Sequence, residues 1–212
     1  MRQNDSWLRF PVLVLLGVVV WTGWMYEQLP QVMVTHWGFL GDPNGWMDKL
    51  TGAWMLPLIM MLLWALWEVL PAADKRHCQS RAFLTPYWSM GNAVLVLLAA
   101  MQWGMFQYNF DAEFPLLRFV GWILVLFIAW LGRLLPEVPL NSIFGVRTPW
   151  TLADGLVWRV THRETAKGLR TVALLSIIFQ VVLPQPWSLV FILVSFLGIL
   201  VWGVMFSFIN RR

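Results

Sequence analysis

Residues 171–210 read TVALLSIIFQVVLPQPWSLVFILVSFLGILVWGVMFSFIN, forty positions without a charged side chain and with one break, Pro184-Gln185-Pro186. A helix needs about 20 apolar residues to cross roughly 30 Å of hydrocarbon. Residues 187–210, beyond the break, therefore form a full span. Residues 171–183 reach only about 20 Å at 1.5 Å per residue, so this helix is expected to begin near Ala166, with Lys167 and Arg170 snorkelling toward the interface. A hairpin that re-enters the membrane across 171–210 is the alternative reading of the pair.

Working outward, four more charge-poor runs have the length of a span: 116–135, with Arg118 and Arg133 snorkelling at its ends; 82–110, with its apolar core at 87–106; 50–67; and 10–26. The first run is followed by further spans and has no small-residue cleavage site, so it is read as an anchor and not as a removable signal. Composition agrees. With 59% hydrophobic and 12% charged residues and a mean hydropathy of +0.65, the chain lacks the polar groups to coat a water-soluble globule. Sixteen Trp suit membrane interfaces, and the lone Cys78 excludes an internal disulfide or a cysteine metal cluster. The predicted fold is an all-α integral membrane protein: a six-helix transmembrane bundle with a structured external loop and an amphipathic cytoplasmic helix. Its expected division is an N-terminal two-helix module, 1–84, and a four-helix module, 85–212.

Lys and Arg set the orientation, because cytoplasmic segments retain them. With the N-terminus inside, Arg2, Arg9, Lys75, Arg76, Arg81, Arg133, Arg147, Arg159, Arg163, Lys167, Arg170, Arg211 and Arg212 are cytoplasmic, and Lys49 and Arg118 alone are outside. Thirteen against two predicts an even number of spans, both termini in the cytoplasm and a place in the bacterial inner membrane. It also accounts for the pI near 9.7 without a nucleic-acid partner.

Two connecting segments are patterned. The external loop, 27–49, carries Leu29-Pro30, His36-Trp37-Gly38 and Gly41-Asp42-Pro43-Asn44-Gly45-Trp46 before Lys49. Pro43 at the first central position of a turn, with Asn44 or Gly45 at positive φ, predicts a sharp reversal there. Trp37, Phe39 and Trp46 then lie on the outer leaflet, as an interface-packed cap or as a ligand site. Glu27, His36, Asp42 and Asp48 have no metal-ligand spacing.

The cytoplasmic segment, 136–168, holds Asn141, Gly145, Val146, Arg147, Thr148, Pro149, Trp150, Thr151 and Leu152, then Trp158, Thr161, His162 and Arg163. Pro149 turns Thr148 away from the α region, and Thr151 with Asp154 resembles a capping box, so helix is predicted from Leu152. Leu152, Ala153, Leu156, Val157 and Val160 share one face and enter the headgroup boundary, with Arg159, Arg163 and Lys167 near anionic lipid. Trp158, Thr161, His162 and Thr165 share the other face. There the indole and imidazole, four residues apart, are placed to stack. That face is either packed on a neighbouring helix end or a recognition surface. Arg147 is placed to stack on Trp150 or to grip a phosphate or carboxylate through its fork.

At these residues the chain resembles the SdpI family of bacterial membrane proteins. The family's Asn, Gly-Ile-Arg-Thr-Pro-Trp-Thr-Leu, Trp and Thr-His-Arg pattern is similar to Asn141, Gly145 to Leu152 with Val146 for Ile, Trp158, and Thr161 to Arg163. The external loop resembles the domain of unknown function common at the front of these proteins, at Leu29, Pro30, His36, Gly41, Pro43, Trp46 and Lys49. It departs at Val32-Met33 and Met47-Asp48. The resemblance implies six helices and immunity to a secreted peptide toxin, or envelope-stress sensing, through docking of a cytosolic repressor. Asn141, Gly145, Arg147, Thr148, Pro149, Trp150, Trp158, Thr161, His162 and Arg163 are the expected partner-binding residues. Pro30, His36, Trp37, Gly41, Asp42, Pro43, Trp46 and Lys49 are those of the external loop.

Other functions find less support. The sequence has no His-Glu-x-x-His, Gly-x-Ser-x-Gly or P-loop pattern and no acid pair within a span, so neither an enzyme, a cofactor nor a metal is expected. A transporter of small molecules or ions, the alternative, needs polar groups at mid-membrane, for which Asn92, Gln102, Gln107 and Gln180 are the candidates. Such amides also bond across helices, and Glu68 lies at the cytoplasmic end of its helix.

Overall fold

Among the described residues, six helices are long and apolar enough to cross a membrane: Phe10–Gln28, Lys49–Ala72, Arg81–Phe110, Leu116–Glu137, Gly155–Val182 and Trp187–Ile209. The computed structural model describes residues 6–73 and 80–211. Arg2, Lys75, Arg76, Cys78 and Arg212 lie outside the described residues. In chain order the elements are α1 (Ser6–Met25), β1 (Val32–Trp37), β2 (Pro43–Asp48), α2 (Lys49–Val69), α3 (Arg81–Phe110), α4 (Leu116–Leu134), α5 (Pro149–Ala153), α6 (Gly155–Val182) and α7 (Trp187–Ile209).

Two corrections follow for the helices. The short fifth span and the amphipathic cytoplasmic helix are one element, because α6 runs unbroken for 28 residues, about 42 Å. Its length removes the apparent deficit before Pro184. Nor does a single helix run on from Leu152: helix begins earlier, at Pro149, breaks at Asp154 and resumes at Gly155. Thr148 and Thr151 form the capping box of the five-residue α5, and extended Asp154 then caps α6 through the backbone N–H groups of Leu156 and Val157.

The helices form two groups. Leu15, Val18, Met60 and Leu95 join α1, α2 and α3, whereas Val125, Ile128, Ala166, Leu169, Val172, Ala173 and Ile192 join α4, α6 and α7. At one end of the bundle α3 and α4 meet through Trp103, Phe114 and Phe119. The same end carries β1 and β2, which pair antiparallel. The reversal falls at Gly38 to Asp42, not at Pro43 to Gly45: Gly41 holds φ +94°, the Gly38 N–H donates to Asp42 O (2.8 Å), and Pro43 begins β2 opposite Trp37. Asn109 fastens this hairpin to α3. Its Oδ1 accepts from the Val34 N–H (2.8 Å) and its Nδ2 donates to Val34 O (2.9 Å), as a neighbouring strand would.

The two basic residues at the hairpin end are both engaged. Lys49 is buried, donates to Glu27 O and lies 4.7 Å from the Tyr26 ring centre. Arg118 does not snorkel outward. It donates to Gln180 O (2.5 Å) and Leu183 O (3.4 Å), satisfying carbonyls at the C-terminus of α6, while Gln180 Nε2 donates back to Arg118 O (2.8 Å). Gln102 is likewise buried and donates to Ala53 O (2.8 Å) on α2. Two of the amides weighed as transport groups therefore tie helices together.

Candidate functional site

Residues 138–163, at the bundle end opposite the hairpin, form an ordered elbow followed by the start of α6. Asn141 organises its first half. Its Oδ1 accepts from the backbone N–H groups of Ile143 (2.7 Å) and Phe144 (2.8 Å), and its Nδ2 donates to Pro139 O (2.8 Å) and Phe144 O (3.1 Å). This is an Asx turn closed on all sides, and Asn141 is buried within it. Phe144 then packs against Phe83 and Tyr87 of α3, bridging the two helix groups.

His162 and Trp158 hold the second half from beneath. Their rings stack at 4.1 Å with 24° between planes, as their spacing predicts. The indole Nε1–H donates to Val138 O (2.9 Å). The carbonyl of Trp158 lies 2.8 Å from His162 Nδ1, which must therefore donate, and Nε2 accepts from the Val146 N–H (3.1 Å). Both bonds are satisfied by one neutral tautomer, with the proton on Nδ1. Gly145 lies directly above. At φ +120° it adopts a backbone that L side chains avoid, and a Cβ there would stand 2.4 Å from His162 Nε2 and 3.2 Å from the Trp158 ring.

Thr148 and Thr151 close the elbow on α7. Thr151 Oγ1 donates to Val146 O (2.8 Å) and accepts from the Thr148 N–H (2.9 Å), while Thr148 Oγ1 meets Ser207 Oγ at 2.9 Å. Trp150 packs edge-on against Phe208 (5.0 Å), and the Arg211 guanidinium covers the same ring at 3.7 Å. Arg147 does not stack on Trp150. It stands exposed and donates to Ile143 O (2.8 Å).

The expected partner-binding residues thus divide. Asn141, Thr148, Trp158, Thr161 and His162 are interior, with Trp158 and His162 each only 1% exposed. Gly145, Arg147, Pro149 and Arg163 are exposed, and Trp150 is half-buried. Trp158 and His162 pack inward toward the bundle, so the surface reading of that face is corrected. Arg159, Arg163, Leu152, Ala153 and Leu156 are exposed, whereas Val157 is buried in the core and leaves the predicted aliphatic stripe.

The external-loop residues are less concentrated. His36 bonds to Asn44, Trp37 lies edge-on to Tyr108 at 5.1 Å, Trp46 is 58% exposed, and Pro30 and Asp42 are exposed. Gly41 sits against Leu117. Among the described residues, no three His, Cys, Asp or Glu gather in one place. The sequence reading missed Asn109 and Ser207, each of which contacts a residue distant in the chain, Val34 and Thr148.

Residues 137–207 match the SdpI/YfhL protein family. The SdpI-type segment therefore covers the elbow, α6 and most of α7, and residues 13–61, from α1 through the hairpin into α2, match a domain of unknown function, DUF1648. The chain is 23% identical over 145 residues to "Immunity protein SdpI" of Bacillus subtilis (strain 168), covering 68% of this chain and 67% of that protein. No solved structure matches it.

Proposed function

We propose that this chain is a multi-pass inner-membrane protein of the immunity type, which protects its cell from a secreted peptide toxin, and that its elbow is the platform on which a cytosolic partner, a repressor, docks. Similarity to a protein named for immunity supports the first part. The observation that carries the second is the contrast between the elbow's two sides. Asn141, Thr151, Trp158 and His162 fasten its backbone from within, while Arg147, Pro149, Leu152 and Arg163 stand exposed on it. A surface fixed in advance loses little conformational freedom on binding. The one-sided distribution of Lys and Arg supports a cytoplasmic elbow.

The test uses cells that express the chain and are challenged with secreted, membrane-active peptide toxins. The parent chain is compared with Arg147→Gln, Arg147→Lys, Arg163→Gln and Leu152→Ala at equal membrane abundance by blot. The expected result is survival with the parent, lost survival or lost co-purification of the cytosolic partner with Arg147→Gln and Arg163→Gln, and poor rescue by Lys at 147, where a fork is required. If the parent gives no protection, the immunity reading fails. If it protects and every exposed-residue variant does so equally while still capturing the partner, the platform reading fails alone.

A further inference from the structure

Toward the elbow end, α3 and α4, with Phe10 of α1, enclose a groove of about 540 Å³, lined by Ser89, Asn92 and Ala100 of α3 and Leu126 and Trp130 of α4. Its α3 side, from residue 89 to 100, is about 16 Å long. The lining is apolar except at Ser89 and Asn92, which sit at one end. Arg133 lies one turn beyond Trp130 on α4, at that same end, with its side chain 66% exposed and its carboxylate partner, Glu137, half-exposed beside it. The site is amphipathic: an apolar trough, then a hydroxyl and an amide, then a cation.

We propose that this groove binds one acyl chain of an anionic glycerophospholipid, with the ester carbonyls accepting from the Ser89 hydroxyl and the Asn92 Nδ2–H and the phosphate at Arg133. Two features select this occupant. The order of groups along the trough is that of a phospholipid from tail to head. The rim charge is positive and exposed, and a surface ion pair such as Arg133–Glu137 is weak enough to yield to a phosphate. Nothing in this assignment depends on the immunity reading.

The experiment uses the full chain purified in mild detergent, exposed to equal amounts of dioleoyl phosphatidylglycerol and dioleoyl phosphatidylcholine, and analysed by native mass spectrometry. The parent is expected to retain one phosphatidylglycerol in preference to phosphatidylcholine by about tenfold, the ratio that one charged contact of about 1.4 kcal/mol gives. Arg133→Gln should bring that ratio close to unity and still hold lipid. Ala93→Phe and Ala100→Phe, which fill the trough, should lower retention of both lipids severalfold at an unchanged melting temperature; if either fails to fold, Ala100→Leu fills part of the same space. Equal retention of the two lipids by the parent, or full retention by the filled variants, overturns the proposal. Loss of lipid accompanied by a change from dimer to monomer also overturns it, and makes this face an interface between copies.

Discussion

Replacing Gly145 with Ala tests the elbow at its tightest point. Two costs add. The φ of +120° is strained for any residue with a Cβ, at about 1–3 kcal/mol. The new methyl carbon, 2.4 Å from His162 Nε2, must also displace an imidazole held at both nitrogens, at about 1–3 kcal/mol for an overpacked site. The sum is about 2–6 kcal/mol, which for a chain of this size lowers Tm by about 4 °C or more. Melting followed through intrinsic Trp fluorescence in detergent reads the shift. Gly198→Ala, where a Cβ meets no atom within 4 Å, is the control and should not destabilise. A double-mutant cycle separates the two costs. With His162→Ala the methyl gains room while the backbone strain persists, so the double variant should lose less than the sum of the singles, by about 1–3 kcal/mol. Strict additivity would refute the contact with His162, and a Gly145→Ala Tm within about 1 °C of the parent would refute the constrained elbow altogether.

Asn109→Leu keeps the approximate volume but strands both backbone groups of Val34, so it should destabilise the hairpin by about 1–3 kcal/mol and speed proteolysis within residues 32–48; an unchanged cleavage rate would count against the strand-like role of the amide. The Thr51 hydroxyl and backbone N–H hold the Asp48 carboxyl below the usual aspartate range. A depressed folded pKa means that its stabilisation is present above the unfolded value, about 3.9, and is lost as pH falls through the folded one. Melting profiles of Asp48→Asn should therefore be flatter than the parent's below about pH 4, and superimposable profiles would remove Asp48 as the source. For orientation, a reporter active only outside the cytoplasm should work when fused at Asn44 and stay silent after Arg212, and the reverse pattern would invert the chain.

Helix number and approximate limits were legible because a bilayer imposes a length on any crossing segment, and 116–135 and 187–210 show it within two residues at each end. The hairpin had a local signal that the turn residues overshadowed: Val32, Val34 and Thr35 are strand formers, and two six-residue strands with five paired residues on each side follow from them. The roles of Asn109, Arg118 and Ser207 had no such signal. Each closes a contact across 59 or more positions of chain, and no spacing rule reaches that far. The Trp158–His162 stack, by contrast, lies within one helical turn and was readable from the four-residue spacing alone.

The inverted face of α6 has a single physical origin. In water, an amphipathic helix turns its aliphatic stripe inward and its polar stripe out. A helix that continues into a bilayer bundle has an apolar solvent along most of its length, so hydrophobicity alone no longer chooses the inward side, and hydrogen bonding and the close packing of small side chains do. On α6 the buried side holds Trp158, His162 and Gln180, bonded to the Val138 carbonyl, the Val146 N–H and the Arg118 carbonyl, together with the small Thr161, Thr165, Ala166, Ala173 and Ser176. Leu156, Leu174, Leu175, Ile177, Ile178, Val181 and Val182, which need no such partner, are exposed. The same rule explains why an indole and an imidazole serve the elbow as supports: beside a headgroup region they are the side chains large enough to fill space and polar enough to hold the Val138 carbonyl and the Val146 N–H. The docking proposed for the elbow therefore falls to Arg147, Pro149, Leu152 and Arg163, which stand exposed on it.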